Sequence, residues 1–348
     1  MPSNSRIVKL TVGACCSLMF LASTCRASVI YTFTNFDVPG SGSNAGAGTN
    51  MNGIANNGAA VGVGIDNAGA FTNSVRNPNG TFSPLNVNGS TTAMAFGINS
   101  AGDVVGTDNG AAFFLPHGGA AHTLATPPGA SSAFGINDAG NIVGQYTAGL
   151  LTPGFFLSSN SAPTFVRIDA PSGADVVNAQ GINDTGLIVG FYVGTDGQDH
   201  GFKANIGAAV GGHLTGTAVA DPVIPPVAGE PGATFVFSQV LGINDSGIAV
   251  GYYGDSTTSQ HGFLYNTNTG QYTFLDDPSV QFSGGVEVTQ ITGITNSGEI
   301  TGFYSDANGV FHGFVASPVP EPSSVCLAGL GLLAVLFLKK RRSAVSPR

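Results

Sequence analysis

The chain has 348 residues, of which 9% are charged and 42% hydrophobic, a balance that excludes a disordered polyelectrolyte in spite of 52 glycines. Between Ser28 and Val319 only Arg76, Arg167 and Lys203 are basic, against 19 Asp and Glu, so this body carries 3 − 19 = −16 and should repel nucleic acid and anionic membrane surfaces. Cys15, Cys16, Cys25 and Cys326 all lie in apolar end segments, which removes internal disulfides and thiolate metal sites from the body.

Residues 1–27 place Arg6 and Lys9 before an apolar run from Leu10 to Leu21, with Cys25 and Ala27 as the small residues of a cleavage site ahead of Ser28. This is the layout of a secretory signal peptide. Ala22, Ser23 and Thr24 do not make a lipobox for Cys25.

The body, residues 28–317, is built on a ten-residue unit that is clearest at Gly135 to Gly144 (GINDAGNIVG) and recurs at Gly53, Gly97, Gly181, Gly242 and Gly293. Each copy opens with Gly-Ile and returns to Gly at its sixth and tenth positions. Asn137, Asp138, Ala139 and Gly140 have the order a type I turn prefers, with Gly where the chain enters the left-handed region. The flanking segments Ala133 to Ile136 and Asn141 to Tyr146 are short and β-favouring. Gly144, inside the second strand, marks a bulge or the close approach of another backbone.

A strand ending in Asp-x-Pro precedes each of several units, as in Tyr31 to Asp37 and Phe165 to Asp169, and His-Gly-Phe follows three of them at His200, His261 and His312. Read in chain order, the Asp-x-Pro strand is the first of its repeat. The opening glycines stand 38 to 61 residues apart, room for four short strands. The longest interval contains Pro222 to Gly232 (PVIPPVAGEPG), a surface insertion because proline cannot occupy a central strand. Six four-stranded units predict an all-β fold, a six-bladed β-propeller whose blades stack face to face. The adjacent Ile142 and Val143 suit strands buried on both faces. A β-solenoid or an elongated array of small sheets competes, but repeat lengths from 38 to 61 exceed the tight periods that solenoid coils hold.

The body resembles the HAF family of extracellular repeats, whose units share this GIN-D-x-G-x-I-V-G core and a closing His-Gly-Phe. The first repeat departs from it with Ala55, the last with Thr295, and the first three lack the histidine. The resemblance implies an extracellular β-repeat domain and brings no catalytic residues.

Residues 318–348 form a tail of different character. Pro318-Val-Pro-Glu-Pro322 leads into an apolar run from Val325 to Leu338 and then Lys339-Lys340-Arg341-Arg342. An apolar helix of this length rises about 21 Å, short of the roughly 30 Å hydrocarbon core, so it is marginal as a permanent span, and the basic cluster would hold its end on the cytoplasmic side. The tail resembles the PEP-CTERM sorting signal, with Pro320, Glu321 and Pro322 carrying the match. This implies an exosortase as processing partner. It also implies a cytoplasmic-membrane precursor held by its tail, then a cell-surface or matrix location in a Gram-negative-type bacterium.

No GxSxG, HExxH, Walker loop or CxxC pair occurs in the body. His200, His261 and His312 hold equivalent places, so they could face a common channel around a metal or, in the plainer reading, each bond a strand of its own blade. Asp138, Asp184 and Asp245 lack the alternation of a calcium loop and are assigned to turns. Asp37, Asp169, Asp221 and Asp277 are assigned to strand ends, bonding local backbone. The expectation is a non-enzymatic exported scaffold that binds polysaccharide or other matrix material, with no cofactor. The alternative is a polysaccharide lyase or hydrolase in the propeller channel, which would need two carboxylates converging there.

Overall fold

In the computed structural model the described residues are 30–319 apart from 160–162, 172, 174–175, 227–231 and 281–285. The expected signal peptide, the sorting residues Pro320, Glu321 and Pro322, and the apolar tail lie outside them, as does part of the Pro/Gly-rich insertion. No helix among the described residues is long and apolar enough to cross a membrane.

The described residues open with β1 (Tyr31–Phe36) and then form six blades. Blade 1 comprises β2 (Gly48–Ile54), β3 (Ala60–Ile65), β4 (Phe71–Arg76) and β5 (Phe82–Pro84). Blade 2 comprises β6 (Met94–Ile98), β7 (Val104–Asp108), β8 (Ala111–Leu115) and β9 (His122–Thr123). Blade 3 comprises β10 (Ser131–Ile136), β11 (Ile142–Tyr146), β12 (Gly154–Leu157) and β13 (Phe165–Asp169). Blade 4 follows with β14 (Val177–Ile182), β15 (Leu187–Val193) and β16 (Asp199–Asn205). The chain then lends β17 (His213–Thr215) to the outer edge of blade 3, parallel to β13, before β18 (Thr217–Ala218) completes blade 4. Blade 5 is β19 (Phe235–Ile243), β20 (Ile248–Asp255), β21 (Gln260–Asn266) and β22 (Gln271–Phe274). Blade 6 is β23 (Thr289–Ile294), β24 (Ile300–Ser305) and β25 (Phe311–Pro318), with β1 as its fourth strand.

Two expectations change here. The Asp-x-Pro strand is the outermost strand of the preceding blade, not the first of its own: β1 pairs with β25 and β13 with β12. The N-terminal strand therefore closes the ring. Blade 3 has five strands through β17. Six blades and the hairpin at each repeat are as expected.

The hairpin chemistry explains the repeat. Gly140 has φ +79° and donates its N–H to the Asn137 carbonyl at 2.9 Å, a conformation that costs glycine little and other residues more. In all six blades the pairing of first and second strands shifts register just before the opening glycine, for example between Ala133 and Gly135. This bulge pushes Phe134 out of the ladder. A Cβ on Gly144 would run into the Ser132 carbonyl and the ring of Phe155. The close approach expected at Gly144 is thus to its own blade's first strand. The neighbouring blade is met instead at the opening glycine, where a Cβ on Gly135 would touch the Gln180 carbonyl and Gly181. The same contacts run from Gly53 to Gly97 and on through Gly181, Gly242 and Gly293 back to Gly53, so the ring is closed.

The phenylalanine after the third-strand glycine covers the tenth-position glycine, and Phe155, Phe202, Phe263 and Phe314 are all fully buried. Burial of each contributes roughly 1.5–3 kcal/mol. Separate apolar cores lie between successive blades, such as Val189, Val240, Tyr253 and Phe263 between blades 4 and 5.

Candidate functional site

The six bulged residues, Asn52, Phe96, Phe134, Gln180, Leu241 and Thr292, project into the axis of the ring and line a central cavity of about 260 Å³. Rings of glycine and isoleucine from the repeat unit narrow it. Its side chains are amides, aliphatics, aromatics and a threonine, with no ionisable group among them. Phe96 and Phe134 pack with centroids 5.2 Å apart. Gln239 is fixed by the Tyr252 hydroxyl, which donates to its Oε1 at 2.7 Å, and by donating from Nε2 to Asp199 at 2.6 Å. Burial first, and the nearby Asp199 charge second, push the Tyr252 hydroxyl pKa up, so it stays a neutral donor. Gln290 donates to Gln260 at 2.6 Å.

At the narrow end the turns form two polar rings. Each repeat asparagine does two jobs. Asn137 accepts the Asn141 N–H at 2.8 Å within its own turn and donates to the Asn183 carbonyl of the next blade at 3.1 Å. Asn99, Asn183 and Asn244 likewise donate to the next turn. The following residue accepts from the blade before it: Ser100 N–H donates to Asp138 at 2.7 Å, Asp138 N–H to Asp184 at 2.9 Å, Asp184 N–H to Asp245 at 2.8 Å, and Asp245 N–H to Asn296 at 2.9 Å. Asn296 N–H then donates to Asn56 at 2.8 Å.

The aspartates assigned to turns are therefore bonds between blades, while the asparagine beside each one serves the turn. Ser100 is too short to continue the ring, and Asn56 reaches past it to Asp138 at 3.0 Å. Burial would raise the Asp138 pKa, but bonds from Ser100 and Asn56 hold it below the usual range. Burial, with the charges of Asp245 and Asp138, raises that of Asp184. Asp138, Asp184 and Asp245 converge on a mouth of only about 60 Å³, and each has an oxygen bound to a backbone N–H.

None of the three repeat histidines lines the central cavity. Each is held within its blade by carboxylates, which is the plainer of the two sequence readings with a different partner. His200 Nδ1 lies 3.0 Å from Asp221 and Nε2 3.1 Å from Asp196. His261 Nδ1 lies 2.9 Å from Asp276 and Nε2 3.8 Å from Asp255. His312 Nδ1 lies 3.0 Å from Asp37 and Nε2 3.8 Å from Asp306. Asp37 and Asp221, expected to bond local backbone, thus clasp histidines. Asp169 instead contacts Arg167 and His213. Asp277 does bond locally, accepting the Ser279 N–H at 2.7 Å, and its neighbour Asp276, which the sequence did not single out, takes the clasp. Among the described residues no group of three or more His, Cys, Asp or Glu is arranged to hold a metal ion.

The fold is a closed six-bladed β-propeller. The tail adds its cellular route: residues 318–342 match the PEP-CTERM protein-sorting motif, the mark of an exported protein processed by exosortase. The fold is similar to a solved structure assigned as a gluconolactonase, at 12% identity and TM-score 0.48 over 81% of this chain and 93% of the other. It is similar at TM-score 0.40 and 10% identity to the β-propeller domain of the Trilobed protease from Pyrococcus furiosus, over 79% and 99% of the two chains. The Aleuria aurantia lectin, in complex with α-methyl-L-fucoside, gives 0.42 at 11% identity over 83% and 99%. A comparison with curated proteins found no match.

Proposed function

We propose that the body, residues 28–317, is a HAF-type repeat propeller that acts without catalysis as a binding scaffold at the cell surface or in the extracellular matrix. Neutral polysaccharide is its ligand class, and a membrane-held precursor is released when exosortase removes the tail. The observation that supports this most is the uncharged central cavity. Acid–base cleavage of a glycosidic bond uses two carboxyl groups flanking that bond. Here the converging carboxylates sit at the narrow mouth and are spent on bonds between blades. The many carboxylates of the body disfavour acidic polymers as ligands.

The test mixes mature protein, purified from cells with active exosortase, with the matrix polysaccharide of those cells. Co-sedimentation without new reducing or unsaturated ends is expected. New chain ends that appear with the wild type and not with Asp184→Asn would instead establish the lyase or hydrolase reading.

A further inference from the structure

The seam between blades 1 and 2 differs from the others. Blade 1 has Ala55 where blades 2 to 5 have asparagine, so no side-chain amide from that position crosses to blade 2, and Ser100 breaks the ring of acceptors; Asn57 Nδ2 instead donates to the Ser100 carbonyl at 3.0 Å. The seam is also held by Asn52, which donates to the Ala95 carbonyl at 2.8 Å beside the axis, and by Asn73 of the third strand, which donates to the Ala93 carbonyl and accepts from the Ala95 N–H. Its core combines four alanines, Ala55, Ala59, Ala93 and Ala95, with Val61, Val87, Ile98, Val104 and Leu115, and Phe113 is its one buried aromatic, where the seam between blades 4 and 5 has Tyr253, Phe263 and Tyr265. A pocket of about 570 Å³ opens at this seam, within the range of small-molecule sites and larger than the central cavity.

The pocket has an apolar floor that includes Leu85 and Leu115, and a polar rim. No Asp, Glu, Lys or Arg lines it. Three rim side chains have hydrogen-bonding capacity to spare. Asn77 spends its Nδ2 on Thr81 and Ser83, which leaves Oδ1 as an acceptor. Asn86 spends Oδ1 on the Gly89 N–H and leaves Nδ2 as a donor. The His117 imidazole has no hydrogen-bond partner among the described residues. The bonds that Asn77 and Asn86 do make hold them in place, so a ligand would pay little to order them.

We infer that this seam pocket between blades 1 and 2 is the saccharide-binding site, and that it takes a neutral hexose unit of a polysaccharide. A pyranose offers an apolar C–H face to the floor and hydroxyls that both donate and accept along its edge, which the split capacities of Asn77, Asn86 and His117 meet. The absence of charge from the lining gives an acidic sugar no partner. The inference rests on the carbohydrate reading above and moves the site from the ring axis to the seam.

The experiment is calorimetric titration of the mature, processed protein with cellobiose, maltose and lactose, and with glucuronic acid as the charged probe. Ala101→Phe projects a ring into the pocket from an exposed turn position; repeats four to six carry Thr185, Ser246 and Ser297 there, so Ala101→Ser is the control. Asn86→Ala removes a rim donor without filling the pocket. Expected is binding of at least one neutral disaccharide, weakened about tenfold or more by Ala101→Phe and by Asn86→Ala but not by Ala101→Ser, at unchanged melting temperature. If a disaccharide binds and both Ala101→Phe and Asn86→Ala leave its affinity unchanged, the seam assignment is overturned while the carbohydrate reading stands, and loss in Gln290→Ala would place the ligand in the central cavity. Binding of glucuronic acid in preference to the neutral probes also overturns it. If neither the disaccharides at about 10 mM nor the whole polysaccharide is bound, both readings fall.

Discussion

His312 Nδ1 lies 3.0 Å from an Asp37 carboxylate oxygen, 275 residues apart in sequence. Asp37 follows β1, the first described strand, and His312 sits in β25, the last, so this clasp joins the two ends of the ring. Around it Phe33 packs edge-on to Phe314 at 5.1 Å, and the Tyr31 hydroxyl donates to the Gly298 carbonyl at 3.1 Å.

A chain that starts at Val38 should therefore lose the fourth strand of blade 6 and bare the edge of β25. We expect a lower melting temperature and self-association through that edge, read by light scattering. An unchanged monomer with an unchanged melt would mean that β1 does not close the ring.

Asn137→Ala should cost about 1–3 kcal/mol in denaturant unfolding, because it leaves the part-buried Asn141 N–H without its acceptor and the Asn183 carbonyl with only the Gly186 N–H as donor. Asn137→Asp keeps the turn bond but sets a carboxylate against the Asn183 carbonyl, and should also destabilise. A loss below about 0.5 kcal/mol for both would refute the role in joining blades.

Stability should fall as pH rises above about 6.5 in a way that depends on His200. Partial burial alone would lower its pKa, but the carboxylates of Asp221 and Asp196 outweigh that and raise it above the ordinary 6.5. The contribution is full below the unfolded-state pKa and is lost as pH rises through the higher folded-state value. Melting temperature between pH 5 and pH 9 should show this decline in the wild type and a flatter profile in His200→Gln.

Chelator and thiol should leave the melting temperature of the mature protein unchanged. The cysteines all lie in the end segments, and among the described residues no three His, Cys, Asp or Glu are grouped for a cation. A drop on adding EDTA would point to calcium at the narrow mouth.

The mature protein should end near Pro320 to Pro322. Intact mass spectrometry of protein from cells with active exosortase is expected to show no species that retains Val325 to Arg348. Glu321→Ala should leave the precursor in the membrane fraction; unchanged release would count against processing at this motif.

The repeat, its hairpins and the number of blades were legible because they depend on local chemistry: Gly140 must be left-handed and Asn137 must bond its own turn. The closing of the ring was not, since an Asp-x-Pro strand looks the same whether it pairs forward or back, and only the pairing of Tyr31 with Pro318 decides it. Asp138 was misassigned for a related reason: an aspartate beside a turn can serve that turn or its neighbour, and the repeat asparagine had already filled the local need. Asp276 and Asp277 are adjacent and chemically alike, so sequence could not say which one meets His261. Ala55 and Ser100, by contrast, stand out as departures from the repeat, and they were the available signal for the open seam.

The loan of β17 to blade 3 bears on how the molecule comes apart. Blades 3 and 4 share backbone hydrogen bonds through Arg167, Ile168 and Asp169 with His213, Leu214 and Thr215, so neither can open alone without breaking a ladder. Amide protons in β13 and β17 should therefore exchange with solvent as one cooperative unit, through the same opening event.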